Sequence, residues 1–200
     1  MLQQYPLPNE FGVGDALNTA GFRFASERPL IWNTYIAKTD FNLDAEGIHH
    51  LFVRGNLQND RRGGEQQFPG TPPNSNNLNN SKGIAVGLTS VINPNVVNDF
   101  RYGFTRQGWE IAGIASTPLV LFRSIDPLIG TDRNFRTIIP VHTIANNTTW
   151  TKGNHTLTIG LQLRGVRNDR LTNQGSFSSA YVNSSWLADS GSELDAPFPD

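Results

Sequence analysis

The stretch Ile144–Arg164, IANNTTWTKGNHTLTIGLQLR, decides the fold. Gly153-Asn154 reads as a two-residue hairpin turn of type II′, because Gly takes φ > 0 at the first turn position without strain. The register follows from the turn. Trp150 falls opposite Leu157, Thr148 opposite Ile159 and Ile144 opposite Leu163, all on one face. Thr151 with Thr156, Thr149 with Thr158, Asn147 with Gly160 and Thr143 with Arg164 share the other. After the turn Leu157, Ile159, Leu161 and Leu163 alternate with Thr158, Gly160, Gln162 and Arg164. A period of two held over eight residues is a half-buried strand and not a helix. One side of this hairpin is oily and the other polar.

The same plan recurs upstream. Tyr35, Ala37, Thr39, Phe41 and Leu43 alternate with Thr34, Ile36, Lys38, Asp40 and Asn42, and Asp44–Gly47 reverses the chain. The return strand sets Leu51, Val53, Gly55 and Leu57 against His50, Phe52, Arg54, Asn56 and Gln58. Ile36 and Phe52 thus sit on an otherwise polar face. A second hairpin carries Ile84, Val86, Leu88 and Ile92 on one side. It turns at Pro94-Asn95, where a residue without an N–H fits, and returns with Phe100, Tyr102 and Phe104 against Asp99, Arg101, Gly103 and Thr105. Arg106 falls on the aromatic face near the expected strand end.

Three hairpins are therefore expected, over 33–58, 83–107 and 138–168, with loops at 1–31, 59–82, 108–137 and 171–200. Loops this long are uncommon in a compact domain unless functional or disordered. Composition agrees with an all-β chain. Of 200 residues only 16% are charged, against about 25% in ordinary soluble domains, and net charge is -1. That balance gives no field to steer the chain to nucleic acid. The absence of cysteine excludes disulfides, thiol catalysis and thiolate metal sites. No apolar run reaches the ~18 residues of a membrane-spanning helix.

Candidate chemical sites are weak. Gly12-Val13-Gly14 lacks the strand and helix that a phosphate loop requires. His49 and His50 are strand neighbours pointing to opposite faces, a poor metal pair. Arg61-Arg62 beside Gly-Gly reads as a solvated loop rather than a phosphate site. Asp126 and Asp132 lack a partner histidine, and PLVLF, Pro118 to Phe122, reads as loop packing. The chain is expected to be non-enzymatic, with no cofactor.

Loop lengths segregate, short turns at one end of the sheet and long loops at the other. Strands of about 9–12 residues cross a bilayer when tilted. Short periplasmic turns, long external loops, an apolar outside and a polar lumen are the pattern of an outer-membrane barrel. The expected lipid-facing residues are Tyr35, Phe41, Leu51, Val53, Ile84, Val86, Leu88, Phe100, Tyr102, Trp150, Leu157, Ile159, Leu161 and Leu163. The expected lumen-facing residues are Lys38, Asp40, Arg54, Asp99, Arg101, Gln162 and Arg164. Six mixed charges among them suit a water-filled lumen better than a dry core. Phe41, Phe100 and Trp150 lie near the turn ends, as an interfacial girdle does.

A family resemblance rests on a series of segments: YPLPNE (5–10), NTAGF (18–22), NTYIAKTDFNL (33–43), LFVRGNLQND (51–60), INPNVVNDFRYGFTRQG (92–108) and TWTKGNHTLTIGLQLR (149–164). In order and spacing they resemble the barrel region of TonB-dependent outer-membrane receptors, in particular the Oar-like group with carboxypeptidase-regulatory-like N-terminal domains. The resemblance implies a many-stranded barrel around an N-terminal plug, energised through a TonB box. It implies as partners outer-membrane lipid, the remainder of the barrel with its plug, and the TonB complex through an N-terminal part outside this sequence. Residues 1–15 lack the basic and apolar regions of a signal peptide, so the chain is expected to be a mid-barrel segment of a longer parent taking up an unknown substrate. The competing expectation is a soluble or secreted β-sandwich that binds carbohydrate or protein through its long loops.

Overall fold

The structure, a computed structural model, describes residues 2–14, 17, 19–122 and 125–182. The strands are β1 (Leu30–Asn42), β2 (His49–Gly63), β3 (Ser75–Asn79), β4 (Lys82–Asn93), β5 (Val96–Gly113), β6 (Leu119–Phe122), β7 (Phe135–Lys152), β8 (His155–Val166), β9 (Asp169–Thr172) and β10 (Ser179–Val182). Eight of them form one sheet, and β6 pairs with β10 in parallel as a separate ribbon.

The eight strands reduce to six continuous staves. β3 and β4 pair with the same two neighbours in one unbroken register: Asp60↔Asn79 continues as Leu57↔Lys82 on one side, and Asn79↔Trp109 as Lys82↔Arg106 on the other. The ladder crosses the gap, since the Asn80 N–H donates to the Gly108 carbonyl at 2.8 Å and the Gln58 N–H to the Ser81 carbonyl at 2.8 Å. β8 and β9 are likewise one stave along β7. Its interruption lies opposite Pro140. The Arg167 N–H donates to the Pro140 carbonyl at 3.1 Å, but proline has no N–H to return the bond. The result is an antiparallel meander with β1 and β8/β9 at its two edges.

The Gly153 hairpin has the expected register at every pair, and Gly153 has φ 58. The turn at Pro94-Asn95 stands as well, with a register shift between Val91 and Asn93. Ile92 therefore falls in a bulge and does not simply extend the Leu88 face, because the extra residue breaks the alternation.

The loops are shorter than the sequence suggests. β2 runs to Gly63 and β3 occupies 75–79, so the expected loop 59–82 contracts to 64–74; Arg61 and Arg62 are strand residues on opposite faces. β5 runs to Gly113 and β7 starts at Phe135, so 108–137 contracts to 114–134 and Arg106 lies mid-strand. PLVLF supplies β6, and the segment from 171 supplies the end of β9 and β10. Within 1–31 a short 3-10 turn (Leu2–Gln4) and a Glu10↔Gly21 bridge interrupt the loop, and β1 begins at Leu30. Trp186 and the terminal PFPD lie outside the described residues.

What burial exists is at the loop end. Ala115, Phe135 and Ser75 are the buried residues other than glycine among those described. Ser75 Oγ donates to Asp132 Oδ2 at 2.6 Å and the Ala115 N–H to the Asp132 carbonyl at 2.9 Å, pinning the 114–134 loop to β3. The N-terminal segment joins this end. Its Pro29 carbonyl accepts from the Gly63 N–H at 2.8 Å, Arg28 pairs with Glu65 at 3.3 Å, and Tyr5 stands edge-on to Phe68 at 5.7 Å.

At the opposite end the Asp44 turn is held by its carboxylate. Oδ1 accepts the Ile48 N–H at 2.7 Å and Oδ2 the His49 N–H at 2.6 Å. The Ile48 bond, with the His49 bond behind it, holds the carboxyl below its ordinary value. A depressed carboxylate stabilises the fold fully above its unfolded value of ~3.9 and loses that contribution as pH falls through the folded value. Protection of the Ile48 and His49 amides against hydrogen exchange is therefore expected to fall as pH drops below about 4. The fall should be absent in Asp44→Ala, whose turn is weak at every pH.

Candidate functional site: two faces of one sheet

Cross-strand partners in an antiparallel ladder share a face, so the register assigns faces across all six staves. One row joins Phe41, Leu51, Leu88, Phe100, Asn146 and Leu161; the next joins Thr39, Val53, Val86, Tyr102, Ile144 and Leu163. Further pairs bring Tyr35 opposite Leu57, Ile84 opposite Phe104, Ile159 opposite Thr148 and Trp150 opposite Leu157. All fourteen residues of the expected apolar set thus lie on one face. Their band runs on β5 from Val96 to Phe104, eight steps or about 27 Å at ~3.4 Å each. At a tilt of ~40° that is roughly 20 Å of height, close to the ~25 Å apolar band of membrane barrels.

The face is not purely apolar. On β7 the sequence alternates Trp150, Thr148, Asn146, Ile144 and His142. The structure satisfies some of these polar groups locally. Asn98 Nδ2 donates to Thr148 Oγ1 at 2.8 Å, and the Tyr102 hydroxyl meets His142 Nδ1 at 2.9 Å. The His142 ring also stacks at 4.8 Å on Phe104. The hairpin register places Thr148 on this face from the sequence; the partners of Thr148 and His142 lie on β5 and emerge only from the β5–β7 pairing.

The other face collects all seven expected polar residues. Lys38 lies opposite Arg54, Asp99 opposite Asn147, Arg101 and Gln162 both opposite Ala145, and Arg164 opposite Thr143. Lys38 and Asp40 pair at 3.0 Å; Arg101 grips Asp99 through Nε at 2.7 Å and Nη2 at 3.2 Å. These pairs are solvent-exposed and contribute only ~0–1 kcal/mol each. Phe52, the apolar intruder, lies under Lys38, whose Nζ is 5.7 Å from its ring centre, and over Gly87, where a Cβ would overlap the ring. A glycine there is what lets an aromatic lie flat on a polar face.

Among the described residues no protein layer covers the apolar face. Ile159 is 68% exposed, Leu161 63% and Tyr35 66%, and no second sheet lies against them. Among the described residues this sheet therefore has no β-sandwich core. Among the described residues no group of three His, Cys, Asp or Glu side chains could hold a metal, and His49 and His50 point to opposite faces. Asp126 accepts the Tyr5 hydroxyl through its backbone carbonyl at 2.7 Å while Asp132 holds Ser75, so the two do not act together.

A single-layer antiparallel meander with one apolar and one charged face is the wall of a membrane β-barrel. Residues 1–198 match the family described as outer membrane beta barrel domain, and the chain belongs to that family. The protein is accordingly an outer-membrane protein. No curated protein and no solved structure matches it.

The Tyr102–His142 pair makes a testable point. With the apolar face buried in lipid, Tyr102→Phe leaves a ring nitrogen unpaired and is expected to cost about 1–3 kcal/mol. Tyr102→Phe with His142→Leu removes both partners and is expected to recover most of that loss. Urea titration of the lipid-reconstituted protein measures both.

Proposed function

We propose that the apolar face meets lipid, that the charged face lines an aqueous lumen, and that the sheet belongs to the closed barrel of a TonB-dependent receptor or transporter. The observation that carries the reading is the uncovered apolar face of a core-less sheet. Burying it in lipid provides the hydrophobic stabilisation that no protein layer supplies. Closure follows from the same premise. Unpaired N–H and C=O groups cost several kcal/mol each in hydrocarbon, and among the described residues β1 and β8 present free ladder edges. Bacterial barrels begin at eight strands, so the six staves need further strands beside them. The receptor subtype rests on the ordered segments from YPLPNE (5–10) to TWTKGNHTLTIGLQLR (149–164) and on the two long connections at one end. Under this reading the protein is not an enzyme, binds no nucleic acid, and meets the TonB complex only through a region outside this sequence. The turns at 43–48, 94–95 and 153–154 are periplasmic, and 64–74 and 114–134 are external.

Because the chain has no cysteine, single labelled cysteines report each claim cleanly. A fluorophore on Leu161→Cys is expected to be quenched strongly by spin-labelled lipid and one on Gln162→Cys weakly; equal quenching removes the face assignment. On intact cells an impermeant maleimide is expected to reach Pro72→Cys and not Asn154→Cys. The subtype has its own test in planar bilayers. A plugged receptor shows no steady open conductance, and a stable open-pore conductance would assign the protein to passive diffusion.

A further inference from the structure

The apolar face ends in a cluster of cations at the long-loop end. By register Lys82 lies opposite Arg106 on this face, and two rows further along, past Gly108 and Ile138, Arg61, Leu78, Glu110 and Arg136 stand side by side. Between them the sheet has a depression of about 350 Å³, within the ~300–1,000 Å³ of ligand sites. Its floor is Gly108, where a Cβ would press on the Asn80 carbonyl. Leu78 and Ile138 line it on the apolar side; Arg106 and Arg136 bring positive charge.

Two features separate this site from an ordinary solvated rim. Arg106 is fixed in place, with Nη1 donating to the Asn80 carbonyl at 3.1 Å and to Asn80 Oδ1 at 2.9 Å. The two bonds lie at the β3/β4 interruption, so the break in the stave serves to orient a guanidinium. The side chains of Lys82 and Arg136, by contrast, make no hydrogen bond or ion pair among the described residues. Against Arg61, Lys82, Arg106 and Arg136 on this face stand two carboxylates: Glu110, directly opposite Arg136, and Asp169, opposite Ile138 and already paired with Arg167 at 2.7 Å. Outward-pointing, under-neutralised cations at the end of an apolar band lie at headgroup depth, where such side chains extend from hydrocarbon toward the interface.

We propose that this depression seats the phosphorylated headgroup of an outer-leaflet lipid. Arg106 offers a pre-set guanidinium fork to the phosphate, Lys82 and Arg136 add charge, and Leu78 and Ile138 meet the start of the acyl region. The proposal rests on the reading that the apolar face meets lipid and the long loops are external, and it adds a specific ligand class to it.

The protein, extracted from outer membranes in mild detergent and stripped of lipid, is titrated with bisphosphorylated lipid A and with dephosphorylated lipid A. Bound lipid is counted by native mass spectrometry. The phosphorylated form is expected to be retained and the other lost. Arg136→Gln and Lys82→Gln, which disturb no internal bond, should each weaken retention about fivefold, the effect of one cation near an anionic surface. Lys152→Gln, at the opposite end of the sheet, should leave it unchanged. Equal retention of the two lipids, or wild-type retention in both the Arg136 and Lys82 variants, overturns the proposal. Displacement by millimolar inorganic phosphate overturns it too, making this a free-phosphate site. Spin-labelled-lipid quenching at Leu161→Cys on the same preparation separates the two readings. Strong quenching without lipid discrimination sinks the headgroup site alone; absent quenching sinks the face assignment with it.

Discussion

Everything in this sheet depends on an unbroken ladder of backbone hydrogen bonds. In hydrocarbon no water can stand in for a missing partner, so each N–H and C=O on a lipid-exposed stave needs another strand. The two places where the strands are interrupted show how closely the chain observes this. At Asn80-Ser81 the ladder bonds to Gly108 and Gln58 continue through the break. At Arg167 the bond to the Pro140 carbonyl survives, and what is missing is only the donor that proline never had. Each interruption falls beyond the apolar band, on the loop side of the Ile84–Phe104 pair and of Leu163. With the apolar face in lipid, as proposed, a flawed ladder is tolerated there because water and headgroups are near.

The second constraint is the absence of a core. Soluble domains bury their large apolar side chains against one another; here Ala115 and Phe135 are the buried apolar residues described, and both belong to the loop end. The sheet is thus two structures joined. The loop end is a small conventional assembly, with an aromatic cluster of Tyr5, Phe22 and Phe68, an Asp132 anchor and the β6–β10 ribbon. The stave region has ladder bonds and little lateral packing, and under the proposed reading its apolar face is completed by lipid. Small residues then make sense on the opposite face. Gly83, Ala85, Gly87, Gly103 and Ala145 occupy the central staves there, while Lys38, Arg54 and Arg164 sit toward the two edges.

Legibility followed the same division. Where one face meets an apolar medium, strict alternation writes the register into the sequence, and the pairs from Trp150–Leu157 to Ile144–Leu163 were readable from a single Gly-Asn turn. Beyond the band the alternation no longer keeps the same face apolar: Trp109 and Ile111 lie on the face that carries Arg101, while Asn and Arg fill the neighbouring strands. Asn59 to Gly63, Ser75 to Asn79 and Gly108 to Gly113 therefore read as loop although the ladder runs through them. The β6–β10 pairing joins segments about 60 residues apart through a parallel register, and no local pattern encodes such a contact. Arg106 stood out on an aromatic face, but its neighbours Arg61 and Arg136 were hidden inside apparent loops. The cation cluster becomes visible only once the register sets four staves side by side.

The open edges carry the last constraint. β1 and β8 are exposed along their whole lengths, and a neighbour added at either edge has little freedom. Side chains alternate with a period of two, so a slip of one residue would turn an entire strand over. A strand joining β1 has to place apolar residues level with Tyr35, Thr39 and Phe41, and polar ones level with Lys38 and Asp40. One joining β8 has to match Leu157, Ile159, Leu161 and Leu163 in the same way. A mis-registered partner would set charge into lipid, at roughly 2–4 kcal/mol for each Arg or Lys at the midplane. That is comparable to the strand's other interactions, so the alternation that identified these staves also selects what closes them.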